Sequence, residues 1–181
     1  KKKKNSLDVR RNVGYLPEHN PLYPEMYVKE YLEFAARLNG MKNADKRIED
    51  MIAMTGLTLE RRKKIGQLSK GYRQRVGLAQ AMLHDPKVLI MDEPTSGLDP
   101  NQLAEVRSLI KNIGKEKTVI LSTHIMQEVQ AICSRVIIIN KGKIVADDSV
   151  DGIQAQQKGT TIIQVEFKEA VNQQLLKQIA G

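Results

Sequence analysis

The sequence predicts an α/β fold built on a mostly parallel sheet with helices against it. Three observations carry that prediction. From Lys87 to Ile139 strand-like and helix-like segments alternate strictly. The strand-like segments are apolar throughout, as strands buried between helices are. Between Tyr27 and Thr55 the apolar residues recur at helical spacing instead.

The elements follow in order. Residues 5–12 read as a short helix, with Asn5 or Ser6 as the N-cap. Val13–Leu16 reads as a strand that Pro17 ends, and a loop with three prolines runs to Pro24. Tyr27, Val28, Tyr31, Leu32, Phe34, Ala35 and Leu38 mark a helix that stops at Gly40. Asn43–Thr55 is a second helix, with Ile48, Met51 and Ile52 on one face and Gly56 at its end. A basic stretch, Arg61–Lys64, leads to a helix over about Tyr72–Leu83. Then come a strand at Lys87–Met91, an amphipathic helix at Asn101–Ile113, a strand at Thr118–Ser122, a helix at Met126–Cys133 and a strand at Val136–Ile139. These strands are expected to form a sheet covered on both faces. Asn140–Lys143 reads as a hairpin turn into Ile144–Ala146. After Asp151 the composition shifts toward Gln and Gly, as at a linker. Thr160–Phe167 then reads as a strand and Val171–Ile179 as a helix.

Composition narrows the function. The chain has 181 residues, 41% of them hydrophobic, which is enough for a packed core. Aromatics are 4% and Trp is absent, so a base-stacking platform for single strands is disfavoured. The aliphatic runs are four residues long, against about 20 for a spanning helix. A single cysteine, Cys133, excludes an internal disulfide and suits a reducing cytoplasm. The net charge is +8, but Lys1–Lys4 supply four of those charges. That run is either a solvated end or a basic arm for nucleic acid or lipid.

The chemistry concentrates at Asp92-Glu93, directly after an apolar strand. Ligands of open parallel α/β sheets bind beyond the carboxyl ends of the strands. Two adjacent acids there have separable tasks. Asp92 suits Mg2+, held largely through its water shell. Glu93 suits the polarisation of a water molecule as general base. Around them stand Leu68-Ser69-Lys70-Gly71-Tyr72-Arg73-Gln74, then Val88-Leu89-Ile90-Met91-Asp92-Glu93-Pro94-Thr95, Ser96-Gly97-Leu98-Asp99-Pro100 and Leu121-Ser122-Thr123-His124. Ser69 precedes Asp92 by 23 residues, and His124 follows Glu93 by 31.

This ordered set resembles the nucleotide-binding subunit of ATP-binding cassette (ABC) transporters, from about residue 13 to 147. The resemblance implies that residues 1–150 are the C-terminal portion of an ABC ATPase domain, a partial P-loop-NTPase-like core with a helical subdomain at about 25–85. Residues 151–181 would then be a linker and the start of a small accessory extension. It implies ATP and Mg2+ as cofactors. Asp92 resembles the metal-associated Walker B aspartate and Glu93 the catalytic glutamate. Asp99 resembles the D-loop aspartate at a dimer interface, and His124 the switch histidine at the γ-phosphate. Ser69 and Gly71 resemble the signature motif, which faces the ATP held by a second subunit. Glu18, in Gly14-Tyr15-Leu16-Pro17-Glu18, stands where the family has a glutamine that touches Mg2+ and senses the membrane partner. Lys70 and Tyr72 also depart from the commoner Gly and Gln. Tyr23, Tyr27 and Tyr31 either line the contact with the membrane subunit or pack one helix face.

The implied partners are an integral membrane permease and a second ATP-binding subunit, in a homo- or heterodimer; nucleic acid is not expected. The implied location is peripheral, on the cytoplasmic face of the inner membrane. Within the family, the Gly14–Tyr23 and Leu68–Val76 segments look like bacterial export-type and gliding-motility-associated systems. The 181 residues hold no G-x-x-x-x-G-K-[ST] run, the loop that cradles phosphates. A polypeptide of these residues alone is therefore expected to bind ATP weakly and not to turn it over. Its sheet is expected to show an exposed edge and an uncovered apolar face. Two other readings are a non-transport cassette ATPase acting on nucleic acid or ribosomes, and a regulatory module that no longer hydrolyses.

Overall fold

A computed structural model describes residues 6–156. They divide between Ser134 and Arg135 into two compact units. The segments expected at Thr160–Phe167 and Val171–Ile179, Lys1–Lys4 and the Asn5 cap lie outside the described residues.

In the first unit, α1 (Ser6–Asn12) runs into β1 (Val13–Leu16). Three helices follow: α2 (Val28–Leu38), α3 (Asp45–Met54) and, after a 3-10 turn at Ile65–Gln67, α4 (Lys70–Met82). Then come β2 (Val88–Asp92), α5 (Pro100–Gly114), β3 (Thr118–Ser122) and α6 (Met126–Ile132). The three strands form one parallel sheet in the order β1-β2-β3, with Leu16 beside Met91 and Asp92 beside Ser122.

The helix starts follow from capping chemistry. Ser69 accepts the Tyr72 N–H, so α4 begins at Lys70, two residues earlier than its apolar pattern suggests. Asp99 accepts the N–H groups of Asn101 and Gln102, and Pro100 fills the first helical position of α5. At α2, Glu30 reaches back to accept the Tyr27 N–H. Gly56, with φ +68, closes the segment after α3.

Leu32, Ile48, Met51, Ile52, Leu57 and Ile65 are fully buried and tie α2, α3 and the 3-10 turn to α4. The Tyr31 hydroxyl donates to Gln80 Oε1 at 2.8 Å, and burial, with Tyr23 nearby, pushes its pKa up to about 12. Arg47 of α3 donates to the carbonyl oxygens of Met82 and Leu83, capping the end of α4. The tyrosine question divides: Tyr31 is core, whereas Tyr23 and Tyr27 are half exposed.

The sheet departs from the two-sided cover that its apolar strands suggest and shows the exposed edge and uncovered face expected of these residues alone. Residues i and i+2 of a strand share a face. Gly14, Leu16, Leu89, Met91, Val119 and Leu121 therefore line one face, which α4 and α5 cover. Tyr15, Ile90 and Ile120 line the other, where Tyr15 and Ile120 are more than half exposed. Among the described residues of this unit the sheet is covered on one face and open on the other, and β3 is an edge strand.

The second unit bears out the hairpin turn expected at Asn140–Lys143 and corrects the place of Val136–Ile139 in the parallel series. Instead of extending the parallel series, β4 (Arg135–Asn140) pairs antiparallel with β5 (Lys143–Ser149). Lys141 and Gly142 both adopt positive φ, +48 and +75, the conformation a two-residue hairpin turn requires. Ile137, Ile139, Ile144 and Val145 are exposed, so an unbroken aliphatic run did not mean burial here. After β5, α7 (Val150–Gln156) occupies the start of the segment expected to be a linker.

Candidate functional site

All three strands of the parallel sheet end on one side, and the singled-out residues follow those ends. Glu18 comes two residues after β1, Glu93 directly after β2, and Thr123 and His124 directly after β3. Glu93 leaves the strand at φ +45, a left-handed conformation that costs a non-glycine residue about 1 kcal/mol or more. Its N–H donates to Ser122 O at 2.9 Å, so the ladder to β3 extends one residue past the strand and holds the turn.

The Glu93 carboxylate is gripped from β3. Thr123 Oγ1 donates to Oε2 at 3.2 Å. The His124 N–H and ring Nδ1 reach Oε1 at 3.0 and 2.7 Å. An ionised carboxylate only accepts, so His124 donates from Nδ1. A carboxylate has about four acceptor sites. Three are used here, and Oε2 keeps one beyond its bond from Thr123. The His124 side chain is 76% exposed, whereas that of Glu93 is 14% exposed.

The Asp92 side chain is half-buried and has no hydrogen bond or ion pair among the described residues. No group of three or more His, Cys, Asp or Glu side chains converges among those residues. One or two carboxylates, with waters and substrate phosphates completing the shell, is how Mg2+ is commonly held. The donor set fits that ion in this form.

A second cluster forms at the facing ends of α4 and α5. Ser69, the cap of α4, accepts from Gln102 Nε2 at 3.0 Å as well as from the Tyr72 N–H. Gly71 is buried, and a Cβ on it would lie 2.5 Å from Gln102 Oε1. Asp99 is engaged as the cap of α5. Gly97, at φ +67, lies under the Lys70 side chain, which a Cβ would strike. Of the residues singled out from the sequence, Ser69, Gly71 and Asp99 lie together here, joined by Gln102, which sequence reasoning did not single out. That reasoning also left Thr123 without a role. Thr123 sits beside His124, a cue that was available; Gln102 had none, because its partner lies 33 positions away.

Glu18 is not drawn into either cluster. Its ion-pair partner is His19, at 3.9 Å on the exposed surface. His84, for which no motif suggested a task, contacts Val13 O at 3.2 Å, a structural arrangement. Cys133 is half-buried, and burial pushes its thiol pKa up, away from reactivity.

The described residues thus form an α/β fold in which an acidic pair at a strand end, a histidine bonded to the second acid and a capped helix gather at the carboxyl end of a parallel sheet. Residues 1–96 match the family described as ABC transporter, and the chain belongs to that family, a family of ATPases. It is 38% identical over 162 residues to the uncharacterized ABC transporter ATP-binding protein YxlF of Bacillus subtilis (strain 168). That match covers 88% of this chain and 55% of the relative. It is 35% identical to the bacitracin transport ATP-binding protein BcrA of Bacillus licheniformis, covering 86% of this chain and 51% of that protein. The chain thus spans about half the length of these curated relatives. Among solved structures, cbiO1 from Clostridium perfringens, part of the ABC transporter complex cbiONQ, superposes with a TM-score of 0.75. The identity is 29%, over 84% of this chain and 62% of that one.

Proposed function

We propose that the intact protein is the ATP-hydrolysing subunit of an ABC transporter and powers a separate membrane permease. In this reading residues 1–150 are the C-terminal portion of the ATPase domain, with the helical subdomain at about 25–85 as the part that meets the permease. Residues 151–181 begin an accessory extension. The protein sits at the membrane through its partner: no helix among the described residues is long and apolar enough to cross one. It acts with a second ATP-binding subunit.

The observation that carries the reading is the Glu93 carboxylate held by Thr123 and His124 with one acceptor site left on Oε2. Glu93 takes the role of general base, its remaining lone pair accepting the proton of the attacking water. His124, donating from Nδ1 to Glu93, contacts the γ-phosphate from Nε2, and as the imidazolium it donates there. Asp92 would hold Mg2+, which when bound neutralises charge on the phosphates. Ser69, Gly71 and the first turn of α4 present a hydroxyl and N–H groups at a helix N-terminus, a setting that favours phosphate. Asp99 caps the helix whose first turn lies beside that surface. Glu18 is exposed, and its role toward Mg2+ and the permease is the least supported of the set.

The test is Glu93→Gln in the intact protein, which keeps the size of the side chain and removes the base. ATP turnover is expected to fall about 100- to 10,000-fold, the usual contribution of a general base. ATP binding is expected to persist. Turnover at the wild-type rate would overturn the assignment. The bound Glu93–His124 pair also disfavours a module whose site has decayed.

A further inference from the structure

We propose that Gln102 is a positioning residue that turns the Ser69 hydroxyl into an obligate outward hydrogen-bond donor. The inference rests on the reading that Ser69 faces an ATP phosphate.

A serine hydroxyl carries one hydrogen and two acceptor lone pairs. In isolation at a helix cap, one lone pair takes a backbone N–H and the hydrogen is left to rotate among whatever acceptors are near. Here both lone pairs are filled. The Tyr72 N–H approaches Ser69 Oγ at 3.3 Å and Gln102 Nε2 at 3.0 Å. The hydrogen has one direction left, away from both, and Ser69 is an exposed residue. A hydroxyl oriented this way donates to an anion without first reorganising, which is what electrostatic stabilisation of a developing charge needs.

Three features keep Gln102 in place. Its own N–H is bonded to Asp99 Oδ1 at 3.0 Å. Its Oε1 occupies the space above Gly71 that any Cβ would take. One turn further along, Arg75 of α4 pairs with Glu105 of α5, with the Tyr72 ring 5.1 Å from the guanidinium. Gln102 is thus held at its backbone by Asp99 and bonded through its amide to Ser69. It ties the loop that carries Asp99 to the hydroxyl that meets the phosphate.

The experiment compares four forms of the intact protein: wild type, Gln102→Met, Ser69→Ala and the double variant. Methionine matches glutamine in length and helix propensity and is neutral, so it removes the amide donor without adding charge. Gln102→Met is expected to lower kcat about three- to tenfold, the range for one lost neutral hydrogen bond, with KM for ATP and the thermal midpoint unchanged. In the Ser69→Ala background the same substitution is expected to do nothing further, because the residue acts through that hydroxyl. If the two losses multiply, or if Gln102→Met turns over like wild type while Ser69→Ala does not, the inference is overturned and the functional reading stands. If Ser69→Ala itself turns over like wild type, the reading that Ser69 faces a phosphate fails, and the inference fails with it. Should Gln102→Met fold poorly, Gln102→Leu takes its place in the same cycle.

Discussion

The helical region of α2, α3 and α4 and the carboxyl end of the parallel sheet are organised by different forces. In the helical region the decisive side chains are apolar and buried: Leu32, Met51, Leu57 and Ile65 are each at 0% exposure. Polar groups there act as fasteners between helices, as Arg47 does on the carbonyl groups of Met82 and Leu83. At the sheet end the decisive side chains are polar, partly exposed and held by hydrogen bonds on turn residues, and one of them, Glu93, sits in a backbone conformation that costs stability. Burial makes the first region stable. The second spends a little of that stability on placing a carboxylate. A change in the first should therefore cost folding and spare chemistry, and a change in the second should do the reverse.

The sharpest break of that contrast is Glu93→Gln itself: its large loss of turnover should come with a thermal midpoint within a few degrees of wild type. A midpoint that collapses would mean that the grip of Thr123 and His124 is structural. Next in size is Leu32→Ala, which removes a fully buried side chain and leaves a cavity. It should destabilise by about 2–5 kcal/mol, read by urea unfolding, with turnover per folded molecule unchanged. A turnover loss larger than the folded fraction explains would couple the helical core to the site.

Tyr31 gives a smaller effect with a defined pH window. Its pKa rises from 10 unfolded to about 12 folded because burial disfavours the phenolate. The folded state therefore holds the proton more tightly between pH 10 and 12, and stability falls as pH rises through that window. The contribution is complete below pH 10. Tyr31→Phe loses the bond to Gln80, about 1 kcal/mol at neutral pH, but should lose less stability than wild type from pH 10 to 12. Parallel pH curves would show that Tyr31 does not titrate in this way. An effect of similar size and opposite sign is expected at Thr95, which is 3% exposed and whose hydroxyl has no partner among the described residues. Thr95→Val should raise stability by about 1 kcal/mol, measured as a higher unfolding midpoint. A drop would show that the hydroxyl is satisfied in solution.

Much of this was legible in advance where the signal is local. An apolar run bounded by Pro17 or by Asp92 reads as a strand, and 3.6-residue spacing at Val28–Leu38 reads as a helix, because both depend on near neighbours. The acidic pair and His124 were legible because residue type and order carry the chemistry. Val136–Ile139 misled only in its place in the parallel series, because aliphatic residues report a preference for burial and not a strand direction, whereas the expected hairpin turn named the right partner. The Lys141–Gly142 turn set that partner for β4. The start of α4 was misjudged by two residues because a cap is a hydrogen bond, invisible to periodicity.

The amino-acid sequence by itself determined the α/β class, the order of its elements and the family, and singled out Asp92, Glu93, Ser69, Gly71, Asp99 and His124 as the residues expected at the site. Only the tertiary structure decided that Thr123 and His124 close on Glu93, that Gln102 reaches Ser69 and that Glu18 stands apart. Those facts depend on groups brought together from distant positions. Hydrogen bonds act over about 3 Å of space, a distance that separation along the chain does not encode.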